Sequence, residues 1–235
     1  MIRMQLFTLG GVAAALAFVT PLPRPAKPRP DVPLEVAKIY WEYNSTDADL
    51  GIQVSLDGEE WERLKISDPN GKVIFEVRGR GSLGHVGLSE LFFEGSEPSL
   101  SDVPLEEMLD RFPAGLYEFE GKTVDGEAIG GEAFFSHAIP AGPIVTTTVG
   151  ANDLVRIGWT AVTSTPPGFP SGTIDIAAYQ VLVDETFQMN VPASVLSITL
   201  PPEFVAALAS GAHTVEVLAI DRDHNQTITE ASFVK

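Results

Sequence analysis

The sequence predicts an all-β protein, two antiparallel β-sandwiches in tandem after a signal peptide and a proline-rich linker. Three observations predict it. Short apolar runs alternate with polar residues at period two, turn dipeptides separate the runs, and Pro140 and Pro143 divide the series into two parts. With 235 residues and 44% hydrophobic content, the chain has enough apolar material for two small cores.

The first 17 residues are expected to be the signal peptide. Arg3 supplies the positive start, an apolar stretch runs from Leu6 to Val19, and Ala15-Leu16-Ala17 is a small-x-small cleavage site. The stretch is short for a hydrocarbon core roughly 30 Å thick, so cleavage is the expectation and retention as an anchor the competing one. No later segment is long enough to span a membrane, and the mature chain is expected outside the cytoplasm, secreted or periplasmic. The compact signal and an exported chain without cysteine point to a bacterial host. Residues 18–34 contain PLPRPAKPRPDVP, whose prolines favour an extended spacer. Arg24, Lys27 and Arg29 make it the only basic stretch.

Residues 35–139 form the first expected domain, an acidic sandwich of Ig-like size. It holds 22 acidic and 8 basic side chains, a net −14 of the chain's −17. Ile39, Trp41 and Tyr43 share one face of a strand, and Ile52, Val54 and Leu56 share a face of the next, with Asp57-Gly58 as the expected turn. Asn70-Gly71 lies between Leu64-Ile66 and Val73-Phe75-Val77, a strong hairpin signal, and Asp125-Gly126 marks a second. One short helix is expected from Pro104 to Phe112, capped by Ser101 or Asp102, with Glu106 and Glu107 in its first turns and Pro113 at its end.

Residues 140–235 form the second domain. Val155, Ile157 and Trp159 alternate, then comes the loop TSTPPGFPSGTID, then IAAYQVLV from Ile176, HTVEVLAID from His213 and the terminal NQTITEASFV. On these residues the domain resembles a fibronectin type III module, which implies a seven-stranded sandwich with Trp159 in its core. Two departures stand out. His213 occupies the place where the family usually has the tyrosine of a corner hydrogen bond, and an imidazole can make a similar bond. The loop from Thr160 to Asp175 is long and stiffened by proline, the kind of excursion that carries recognition. The resemblance implies fold far more than function.

Charge and composition exclude several classes. A net charge of −17 opposes binding to a phosphate backbone, so no nucleic-acid partner is expected. Without cysteine there is no disulfide, thiolate chemistry, Cys-ligated zinc or iron–sulfur cluster, nor the cysteine of a bacterial lipid anchor. Gly79-Arg80-Gly81-Ser82-Leu83-Gly84 matches GxGxxG in form, but a dinucleotide site also needs a parallel βαβ unit, and a bend or bulge is the expected use of these glycines. His85, His137, His213 and His224 have no sequence-local partner for a nucleophile or zinc.

No cofactor is expected, with calcium the one possible exception. Asp47 and Asp49 are weak candidate ligands in the first domain, and Asp221 and Asp223 repeat their spacing in the second. The second loop has Gln226 and Ser232 where an EF-hand needs Gly and Glu. Asp and Asn also serve turns for backbone reasons alone. Trp61, beside the expected turn at Asp57-Gly58, is the weak candidate for an exposed sugar-binding ring, whereas Trp41 is expected in the core. No GxSxG, HExxH or P-loop occurs and no catalytic residue is assigned.

These readings point to an exported, non-catalytic binding or scaffolding protein with a protein or glycan partner, met through the acidic loops of the first domain or the proline-rich loop of the second. The competing readings are a small glycan-active hydrolase or lyase using carboxylates of the first domain, and a calcium-stabilised spacer.

Overall fold

The computed structural model describes residues 30–235; the expected signal peptide and residues 18–29 of the expected linker lie outside the described residues. The first sandwich contains β1 (Val32–Pro33), β2 (Val36–Asn44), β3 (Asp49–Ser67), β4 (Val73–Arg78), helix α1 (Ser82–Val86), β5 (Leu88–Glu94), helix α2 (Leu105–Arg111), β6 (Gly115–Thr123) and β7 (Ala128–Phe135). Its organiser is β3. The first half of this 19-residue strand pairs antiparallel with β2 and β5, and its second half pairs with β4 and β6. Strand β7 continues the second layer, and β2 comes up against β7. Between the layers lie Ile39, Trp41, Val54, Leu56, Trp61, Leu64, Ile66, Tyr117, Phe119 and Phe135, all essentially removed from water.

The turn expected at Asp57-Gly58 is instead a bend inside β3. The register slips between Asp57 and Trp61 and again between Trp61 and Arg63. Each bulge shifts the side-chain alternation. Leu56, Trp61 and Leu64 therefore all point inward although their numbers change parity twice. Trp61 is 0% exposed, so the ring expected at the surface is a core residue.

Both expected hairpins form. Asp68 Oδ1 accepts the N–H groups of Asn70 (2.9 Å) and Lys72 (2.8 Å), and Gly71 takes φ 80°. Gly126, at φ 94°, turns the β6–β7 hairpin. Helix α2 forms without the expected side-chain cap: Pro104 is its N-cap, and Glu106 and Glu107 lie in the first turn. At Ser82–Val86 the glycine-rich bend includes one short helical turn that sequence reading did not anticipate. The first-domain strands on either side of it pair antiparallel with β3, so the parallel βαβ unit of a dinucleotide site is not formed there.

The second sandwich contains β8 (Val145–Val149), β9 (Val155–Trp159), β10 (Ile176–Val183), β11 (Phe187–Pro192), β12 (Ser197–Thr199), helix α3 (Pro202–Ala207), β13 (Ala212–Asp221) and β14 (Gln226–Val234). Seven strands divide into a sheet of three, β12-β9-β8, and four neighbours, β11-β10-β13-β14. This is the sandwich that the fibronectin type III resemblance implied, and Trp159 and Tyr179 pack together in its core at 5.6 Å. His213 makes the corner bond: its Nε2 lies 2.9 Å from the Ala209 carbonyl oxygen, while Nδ1 meets Asp184 Oδ2 at 2.5 Å. The Asp184 bond first, then the Ala209 bond, raises the His213 pKa, and the same contact lowers that of Asp184.

Candidate functional site

The two sandwiches share backbone. Strand β14 runs parallel to β2, with Gln226 beside Glu42, Thr227 beside Tyr43 and Ile228 beside Asn44. One eleven-stranded sheet therefore crosses from one sandwich to the other. Asn225, 0% exposed, pins the crossing: its Oδ1 accepts the Trp41 N–H at 2.9 Å and its amide donates to the carbonyls of Ser136 and Ala138, each at 3.2 Å. Ser45 N–H and its hydroxyl both donate to the Ile228 carbonyl at 2.8 Å, and Thr227 Oγ1 donates to the Pro140 carbonyl at 2.5 Å. Buried polar groups left unpaired are costly, so a seam satisfied in this way holds one geometry.

Two features flank this seam. The first is a carboxylate cluster on the shared sheet. Glu42, Glu94 and Glu97 each bring an oxygen within 4.8 Å of the others. Glu42 accepts a hydrogen bond from the Gln226 amide across the seam. Burial, opposed in part by that bond, and then the charges of Glu94, Glu216 and Asp49, push the Glu42 pKa up to about 7. Burial and then the charges of Glu42, Glu94 and Asp49 push Glu97 up to about 8. Glu97 Oε1 is wholly buried and has no hydrogen-bond partner. Three ligand atoms fall short of the six to eight oxygens that calcium takes.

The second feature is a crevice of about 730 Å³ between α2 and the 160–175 loop. Leu105, Leu109, Pro113, Phe169 and Pro170 form apolar walls, and exposed Glu106 and Asp110 stand at the rim. The Phe169 ring packs on Tyr43 at 4.9 Å, which fastens the loop of the second sandwich to the first. His137, also in the wall, is fixed by a 2.8 Å contact of Nε2 with the Phe112 carbonyl oxygen.

The residues singled out from sequence fall as follows. Asp47 is exposed in the β2–β3 turn and Asp49 is half-buried at the start of β3; neither belongs to a group of three clustered ligands among the described residues. Asp221 is buried, Asp223 is exposed, and they too form no such group. Burial, then the charge of Asp223, pushes the Asp221 pKa up to about 7, and its Oδ1 has no partner. Trp61 is in the core. The cluster of Glu42, Glu94 and Glu97 was missed because its members come from two strands and a loop with no common spacing. The seam at Asn225 was missed because Asn-Gln-Thr reads only as the start of the terminal strand, with nothing local to mark its partners in the first sandwich.

The sequence matches no protein-family model and no curated protein. Solved structures similar to it include a two-domain fibronectin type III segment of chicken tenascin, 10% identical, covering 88% of this chain and 98% of that one at a TM-score of 0.31. The fibronectin(III)-like modules of Clostridium thermocellum CbhA are 13% identical over 87% of this chain and 94% of theirs, at 0.31. The spore cortex lytic enzyme SleM of Clostridium perfringens is 15% identical over 41% of this chain, at 0.33, and only 28% of its own length is covered. The strand order described above, not these likenesses, carries the assignment of fold.

Proposed function

We propose that this chain is a non-catalytic binding or scaffolding module of the cell envelope or extracellular space that offers the α2–loop crevice to a protein or glycan partner. The observation that supports it best is that the proline-rich loop of the second domain, one of the expected recognition surfaces, meets helix α2 of the first with its exposed Glu106 and Asp110 in one crevice beside the seam. Binding sites favour such concave places between domains, with apolar walls and a few polar groups at the rim. The carboxylate cluster is the feature a glycan-cleaving reading would need, but Glu97 Oε1 is buried, which leaves that carboxyl only its other oxygen for a substrate.

The test is retention of the full chain on a panel of cell-wall and extracellular polysaccharides and envelope proteins, compared with Phe169→Asp. A partner retained by the wild type and lost by the variant, with both equally folded, is the expected result. Equal retention would move recognition elsewhere, and polysaccharide turnover surviving exhaustive purification would defeat the non-catalytic reading.

A further inference from the structure

Glu97 reaches the other two carboxylates because loop 95–100 is laid along the start of β3. Leu50 N–H donates to the Pro98 carbonyl (3.3 Å) and Leu100 N–H to the Ala48 carbonyl (2.8 Å). The side chain fits only over a bare backbone: a Cβ on Gly51 would lie 2.4 Å from Glu97 Cγ. The other groups that act on the cluster are acidic or neutral. Asp49 comes from β3, Glu216 from β13 and Gln226 from β14, with Glu230 acting on Asp49 and Glu216. Tyr40, on the same face of β2, bonds Gln53. Lys38, further along β2, acts on His224. Among the described residues no lysine or arginine forms an ion pair with Glu42, Glu94 or Glu97.

Three like charges this close, without a cation, repel one another at the place where the sandwiches join. We propose that this carboxylate cluster is a proton-operated latch: with Glu42 and Glu97 protonated it holds loop 95–100 closed along the start of β3, and with both ionised it drives the loop off. The sign follows from linkage. Glu42 and Glu97 keep protons up to about pH 7 and 8 in the folded chain, against 4.5 when unperturbed. The folded state therefore binds more protons across that window, and stability falls as pH rises through it. Loop 95–100 is held more tightly at mildly acidic pH than at alkaline pH.

The experiment is urea unfolding of the full chain from pH 5.5 to 8.5, once with chelator and once with calcium. It compares the wild type, Glu97→Gln, Gly51→Ala and Glu203→Gln, the last an exposed carboxylate on α3 that controls for net charge. Gly51→Ala keeps every ionisable group and displaces Glu97 by contact alone. Glu97→Gln and Gly51→Ala should each flatten the wild-type pH dependence by about one proton, roughly tenfold per pH unit in the unfolding constant, while Glu203→Gln follows the wild type. Hydrogen exchange, corrected for its intrinsic rate, should show the Leu50 and Leu100 amides better protected at pH 6 than at pH 8. Wild-type slopes in both variants, or unchanged protection, would overturn the latch. So would a pH dependence present only with calcium and abolished by chelator, which would make the cluster a metal site.

Discussion

Asn225 ties the two sandwiches through one amide group, which bonds a backbone N–H and two backbone carbonyls of the other sandwich. Replacing it by leucine keeps the branched shape and removes the partner of two buried polar groups and one half-buried one. We expect Asn225→Leu to cost about 3 kcal/mol in urea unfolding, and a cost near zero would mean that water takes over all three bonds. His213 shows what sequence can reveal at this scale. Its place at the head of β13 announced a corner bond, and the Nε2 contact with Ala209 is that bond. The partner on its other side, Asp184, lies 29 positions away in a tight turn and had no signature in the sequence.

Among the elements, the hairpins and α2 were legible because each is specified locally: Asn70-Gly71 and Asp125-Gly126 at the turns, acids in the first helical turn, Pro113 after it. Strand β3 was legible only in its halves. Asp57-Gly58 has the composition of a turn, and what makes it a bend is tertiary: Leu34 and Ile129 crowd Gly58, where a Cβ would stand 3.1 Å from Leu34 Cδ2. With Asp57-Gly58 read as a turn, Trp61 beside it was expected outside; in the continuous strand the two bulges that follow carry the ring inward. Gly58→Val should overpack this bend and lower stability by about 2 kcal/mol, read from the urea midpoint. A wild-type midpoint would show that the bend does not depend on a bare residue there. The short strands β8 and β11 gave little periodic signal, and their places come from their neighbours in the sheets.

For the whole molecule, the tandem sandwiches were legible and their union was not. Prolines 140 and 143 read as a domain boundary and leave the docking open, whereas in the structure Pro140 offers its carbonyl to Thr227 and the chain beyond it returns to lay β14 along β2. A parallel pairing between strands some 180 positions apart leaves no local trace. The surplus of acid in the first sandwich also gains a place, since part of it gathers at the seam and part at the crevice rim. Such a field draws cationic partners and weakens with salt. The seam itself is tested most directly by residual dipolar couplings of backbone amides in both sandwiches. One alignment tensor should fit residues 36–135 and 145–234 together in the relative orientation described, whereas two tensors of different magnitude or direction would mean that the sandwiches move independently and the seam does not hold.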